Sequence, residues 1–120
     1  MKHTHEMIFI VVLCAEVLGT ALIAHAADAE QGKKLYEQFC ATCHGQSGKG
    51  DGAAAAALNP KPRDHTDKEY MSKLSDDDML KVIKNGGASV GKSPLMPPWG
   101  ASLKDDQIQD IIAYVRTLSK

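Results

Sequence analysis

Apolar residues gather on one helical face in three stretches of the chain. The clearest is Asp105 to Leu118. There Ile108, Ile111, Ile112, Val115 and Leu118 recur at offsets of 3, 4, 7 and 10, with Tyr114 at their border. A second stretch runs from about Asp76 to Lys84, with Met79, Leu80, Val82 and Ile83 on its apolar side. Ser75 is a suitable N-cap, Asp78 stands three residues on in a capping-box arrangement, and Asn85-Gly86 provides a stop. The run Asp76-Asp77-Asp78 invites a metal reading, but acids in a first turn simply complement the helix dipole. The third stretch, about Ala29 to Ala41, lines up Gly32, Tyr36 and Phe39 with Leu35 beside them. No period-two strand pattern stands out, so the expected fold is all-α: three main helices joined by long loops. Gly45 to Gly52 is glycine-rich, Lys61 to Asp67 is polar, and Ala53 to Leu58 has room for a helical turn.

The first 26 residues read as a leader rather than as fold. Lys2, His3 and His5 precede the apolar run Met7–Ala15, and Val17–Ala24 leads into Ala24-His25-Ala26, a small-x-small cleavage pattern. Cleavage before Ala27 would leave residues 27–120 as one exported domain, which in a bacterium means the periplasm. Glu6 and Glu16 sit poorly in a leader, and an uncleaved anchor is the alternative. Against the anchor, the longest uncharged run is 11 residues, Val17–Ala27, where a membrane span takes about 20. Without the leader the charges balance, with 13 Lys and Arg (14 minus Lys2) against 13 Asp and Glu (15 minus Glu6 and Glu16). Nothing in that balance calls for nucleic acid or an anionic membrane surface.

Removing the leader also removes Cys14 and leaves two cysteines, in Cys40-Ala41-Thr42-Cys43-His44. This is the haem c attachment pattern. Two sulfurs three positions apart can meet the two vinyl groups along one porphyrin edge, and the following histidine can reach the iron. A redox dithiol would belong at a helix start in a strand-helix-strand layout. A zinc site needs four ligands, and the chain from Ala27 on holds only two Cys and two His. Three modest helices give a small core for a domain of this size. A large apolar cofactor in the middle completes it.

The second axial ligand has four candidates: Met71, Met79, Met96 and His65. Met79 lies on an apolar helix face and Met71 follows Tyr70, so core packing accounts for both. Met96 stands in Ser93-Pro94-Leu95-Met96-Pro97-Pro98-Trp99, where three prolines stiffen the loop and lower the entropy lost when a weak thioether binds. His65 would give a bis-histidine site. Met96 is the favoured ligand, because His-Met ligation belongs to electron-transfer cytochromes c.

With these residues in view the chain resembles a class I monohaem cytochrome c over nearly all of residues 27–120. Four blocks carry the likeness. Gly32-x-x-Leu35-Tyr36 precedes Cys40 to Gly45. Gly48-x-Gly50-Asp51-Gly52 leads to Leu58-Asn59-Pro60-Lys61-Pro62-Arg63-Asp64. Met96-Pro97 and the Ile108–Leu118 helix follow. The resemblance implies that the first and last helices cross closely at Gly32, with Tyr36 and Tyr114 at the crossing. It implies that a proline carbonyl, from Pro62 or else Pro60, accepts a hydrogen bond from the His44 ring. Beside it, Arg63 is either the partner of a haem propionate or a solvated loop charge, and Trp99 packs on the haem, hydrogen-bonds a propionate or fills the core. Two positions depart from the pattern. Lys104 replaces a common capping serine, so the last helix starts from Ser102 or Asp105. His65 replaces a common aromatic residue, as a polar surface substitution or as a ligand.

The function so implied is a periplasmic electron carrier, not an enzyme: a monomer with one covalent haem c held by Cys40 and Cys43, its iron bound by His44 and Met96. Its partners are a redox protein donor and acceptor, and it meets a membrane only by docking to respiratory complexes. Two alternatives compete with it: a haem c subunit or anchored module of such a complex, and a haem protein that binds small ligands at a displaceable sixth position.

Overall fold

The computed structural model describes residues 24–120. The leader, residues 1–26, therefore lies outside the described residues except for its last three. Among the described residues there are five α-helices and no strand: α1 Ala29–Phe39, α2 Ala41–His44, α3 Lys68–Lys73, α4 Asp76–Asn85 and α5 Asp105–Leu118. Short 3-10 turns occupy Ala55–Ala57 and Gly87–Val90. None of these helices is long and apolar enough to cross a membrane.

Apart from α2, the helices begin where the local chemistry provides a cap. Asp28 accepts from the N–H groups of Glu30 and Gln31 at α1, and Ser75 Oγ accepts from Asp78 N–H at α4. α5 starts at Asp105 with Lys104 as N-cap; Gln107 Oε1 reaches back to accept from the Lys104 N–H at 3.0 Å, one half of a capping box. α1 stops at Phe39, two residues short of the expected end, because Cys40 leaves the helix and Ala41 already opens α2. α3 has no counterpart in the sequence pattern. Its six residues fill under two turns, too few to show a period, and its start is fixed by Asp67 accepting from Tyr70 N–H.

α1 and α5 cross at Gly32, where a methyl group would collide with the Asp110 carbonyl. The expected crossing is present, and Tyr36 and Tyr114 meet edge to face there at 5.2 Å. Tyr36, Met71, Ile108 and Ile111 are the largest fully buried side chains. The buried Asp110 closes the other end of the crossing: its Oδ1 accepts from Asp28 N–H and from His25 Nε2, each at 2.7 Å. Arg116 on α5 spans to the neighbouring helices. It donates to Asp76, to the Met71 carbonyl at 2.6 Å and to the Leu74 carbonyl. One guanidinium thus caps the end of α3 and holds the start of α4.

Candidate haem site

The attachment residues form a helix of their own, only four residues long. Such a short helix leaves nearly all of its carbonyls without internal partners. The glycine-rich loop supplies them. Gly50 N–H donates to the His44 carbonyl at 2.8 Å, Gly52 N–H to Cys43 at 3.1 Å and Ala54 N–H to Thr42 at 3.0 Å. Gly50 has φ +76, and a side chain there would strike the Pro62 carbonyl. The glycines thus serve close backbone approach, and they bring the 61–67 loop under the attachment helix. His65 N–H completes the tie by donating to the Gly48 carbonyl at 2.6 Å.

His44 is buried, and its Nδ1 lies 3.0 Å from the Arg63 carbonyl oxygen. A carbonyl only accepts, so Nδ1 carries the proton and donates, and Nε2 keeps its lone pair for a metal. Burial lowers the pKa of His44, while the carbonyl bond acts the other way. The ring therefore favours the neutral form that a ligand needs. The resemblance placed this acceptor on Pro62 or Pro60; it is the next residue, Arg63. The reason is local, since the Pro62 carbonyl is turned towards Gly50.

A cavity of about 360 Å³ opens beside this ring. Cys40, Cys43, His44, Pro62, Arg63, His65 and Met96 all contribute to its lining, and apolar side chains of α3, α4 and α5 form much of the rest. Trp99 is not part of the lining; it packs edge to face on Phe39 at 5.5 Å, and its backbone N–H donates to the Ile83 carbonyl. Trp99 is half-buried and packs against the helical core. Arg63 is exposed, with its guanidinium 3.8 Å above the Tyr70 ring. Met96 is half-buried, and its carbonyl accepts from Gly87 N–H at 2.9 Å, which fastens the proline-stiffened loop to the end of α4.

Three observations bear on what fills the cavity. Burial, with Cys43 nearby, pushes the Cys40 pKa up to about 12. A reactive redox dithiol needs the opposite shift. Among the described residues no group of three or more His, Cys, Asp or Glu side chains is placed to hold a metal ion. A metal at His44 would then need its other donors from a ring such as a porphyrin. The walls are apolar, the two thiols sit at the edge, and one neutral imidazole nitrogen is free. Haem c fits this donor set and this shape.

His65 is the residue that sequence reasoning placed least well. It is half-buried, not a surface substitution. Its ring lies face to face on His44, with centroids 4.3 Å apart and planes 16° apart. Two imidazoles bound across one iron stand end to end with the metal between them. A stacked pair has no such gap, so this arrangement does not suit His65 as a partner ligand opposite His44. Burial, and then the neighbouring His44, push the His65 pKa down to about 3.

The family described as cytochrome C oxidase, cbb3-type, subunit III matches residues 27–115. The cbb3-type cytochrome c oxidase subunit CcoP of Azospirillum brasilense is 32% identical over 93 residues, which cover 78% of this chain and 29% of that subunit. Cytochrome c-554(547) of Halothiobacillus neapolitanus is 32% identical over 97 residues, which cover 78% of this chain and 99% of that one. The chain thus spans under a third of the oxidase subunit and nearly all of the small cytochrome. Among solved structures, the KustC0563 c-type cytochrome superposes with a TM-score of 0.61 at 28% identity, over 74% of this chain and 98% of that one. The attachment sequence, the all-helical frame around one apolar cavity and these likenesses agree: the chain belongs to the c-type cytochromes, in the family described as cytochrome C oxidase, cbb3-type, subunit III.

Proposed function

We propose that this protein is a one-electron carrier built around a single covalent haem c. The observation that carries the reading is the cavity, where two thiols, a neutral imidazole with a free Nε2 and a thioether from a braced loop meet apolar walls. When bound, the haem supplies a one-electron ferric–ferrous couple. One haem is proposed because the sequence holds one attachment motif. The chain's own residues do the rest. Cys40 and Cys43 form the two thioethers. His44 would hold the iron through Nε2, with the Arg63 carbonyl setting its tautomer. Met96 would supply a second protein ligand to the iron. Met71 and Met79 also line the cavity, but both are buried members of the helical core, whereas Met96 comes from the tethered loop. Arg63 lies at the cavity with a free face of charge for a propionate. With His44 and Met96 both holding it, the iron would supply electron transfer rather than substrate chemistry.

The same reading places the protein in the periplasm after loss of residues 1–26, as a monomer that passes electrons between a redox donor and acceptor through brief, small contacts. The matched oxidase subunit supports a second reading, a haem c module of a respiratory complex. Fractionation separates the two: a periplasmic protein starting at Ala27 fits the carrier, and an intact residue 1–26 segment in the membrane fraction fits the module.

For the site, Met96→Ala is expected to abolish the long-wavelength band of ferric haem with sulfur on iron and to lower the reduction potential. An unchanged spectrum and potential would remove Met96 from the ligand set. Cys40→Ser with Cys43→Ser is expected to abolish haem that survives denaturing electrophoresis, and retained stain would contradict the attachment.

A further inference from the structure

His65 is half-buried against the site yet has no part in the function just proposed. Its ring has two aromatic neighbours. One face lies on His44 at 4.3 Å, and Tyr36 stands 6.1 Å away with planes 64° apart. Tyr36 is itself immobilised. Its hydroxyl donates to the Gly45 carbonyl at 2.9 Å, and Tyr114 of α5 packs on it at 5.2 Å. The backbone of His65 is tied to Gly48. A column of rings therefore runs from α5 through α1 to the ring of His44.

The polar part of His65 is unused: its Nδ1 is buried with no hydrogen-bond partner. An unpartnered buried nitrogen is unfavourable, and an aliphatic residue of similar size would avoid it. What the site uses is the flat face. The Arg63 carbonyl holds one atom of the His44 ring, and hydrogen bonds to a carbonyl tolerate a broad range of directions. That bond alone leaves the ring free to swing about its Nε2 axis. A stacked neighbour blocks the swing, because rotation would drive the edge of His44 into the face of His65.

We propose that His65 is a positioning residue for the axial ligand: stacked on His44 and backed by Tyr36, it sets the plane of the imidazole about the bond from Nε2 to the iron. That plane decides which iron d orbitals overlap the imidazole π system, and so sets how unpaired spin spreads over the ferric haem. The proposal rests on His44 as the iron ligand, a reading with its own test: His44→Ala is expected to lose the low-spin haem spectrum, and survival of that spectrum would overturn the ligand assignment itself.

The experiment compares the ferric holoprotein with His65→Leu and His65→Phe by NMR of the haem methyl groups, alongside the reduction potential. His65→Leu is expected to change the spread and order of the methyl shifts and to move the potential, and His65→Phe, which keeps a flat face, is expected to restore the parent pattern. A leucine variant with the parent pattern overturns the proposal, as do leucine and phenylalanine variants that depart equally. In the unmutated ferrous holoprotein, nuclear Overhauser contacts between the ring protons of His44 and His65 are expected. Their absence also overturns it, whether or not either variant folds.

Discussion

Single residues here act through the backbone as often as through their side chains. Gly50 is the plainest case. Its φ of +76 and the Pro62 carbonyl beside it exclude any side chain, and its N–H holds the His44 carbonyl. Gly50→Ala is expected to destabilise the holoprotein by about 1–3 kcal/mol, the usual cost of a strained backbone site. A denaturant melt measures this, and an unaltered midpoint would show that the loop relaxes freely. Ser75 is simpler. It caps α4 through one exposed hydrogen bond, so Ser75→Ala is expected to cost about 1 kcal/mol with the haem spectrum unchanged. Neither the glycine role nor the Arg63 acceptor was legible in the sequence at the level of atoms. Every residue has a carbonyl, and only the folded loop decides which one faces the His44 ring.

Between elements, the contacts that matter are close backbone approach and shared caps. α1 and α5 touch at Gly32, where an added methyl meets main chain rather than a yielding side chain. Gly32→Ala is therefore expected to lower stability by at least about 1–3 kcal/mol, as overpacking does. Arg116 joins α5 to α3 and α4 by hydrogen bonds to two carbonyls and to Asp76. Arg116→Ala should cost about 1.5–3 kcal/mol, the range for charged hydrogen bonds, and Arg116→Lys should recover only part of it, because an ammonium lacks the planar fork. The N-terminal tie is pH-dependent in any chain that keeps His25. The bond to Asp110 raises the His25 pKa above its ordinary 6.5. A raised folded-state value means stabilisation that is complete below the unfolded pKa and lost as pH climbs through the folded one. The thermal midpoint of such a chain is expected to fall across that window above 6.5, and His25→Ala should flatten the slope. Equal slopes in both chains would assign it elsewhere. The sequence made α5 fully legible because its apolar face repeats over 14 residues. It hid α3, whose six residues expose a polar surface around one buried methionine.

At the scale of the molecule, the cavity lies inside the core, not beside it. Residues of α1, α3, α4 and α5 face it together with the two long loops. A domain of under 100 described residues with a void of about 360 Å³ lacks much of its own interior packing. The chain with Cys40→Ser and Cys43→Ser is expected to keep partial helix but lose fixed aromatic packing, seen as far-ultraviolet circular dichroism without a near-ultraviolet signal. A cooperative melt matching that of the holoprotein would contradict this. The attachment motif, the helical class and the deficit of core were all readable before the fold, because each is a matter of residue type and spacing. The stack of His65 on His44 was not, since it joins the end of α2 to a loop residue 21 positions further along the chain.

The Arg63 carbonyl carries one more implication, for how such a site drifts over evolutionary time. The acceptor that orients His44 belongs to the main chain, so mutation cannot delete it by changing the residue's identity. Position 63 can exchange arginine for almost any side chain, altering surface charge beside the cavity, while the imidazole stays in register. Ligand geometry and surface electrostatics are thus inherited separately at a single codon. Arg63→Ala is expected to preserve the haem spectrum while giving up the contact with Tyr70, worth about 0.5–1 kcal/mol at an exposed site. A lineage adapting to a new redox partner could recolour this surface without disturbing the metal.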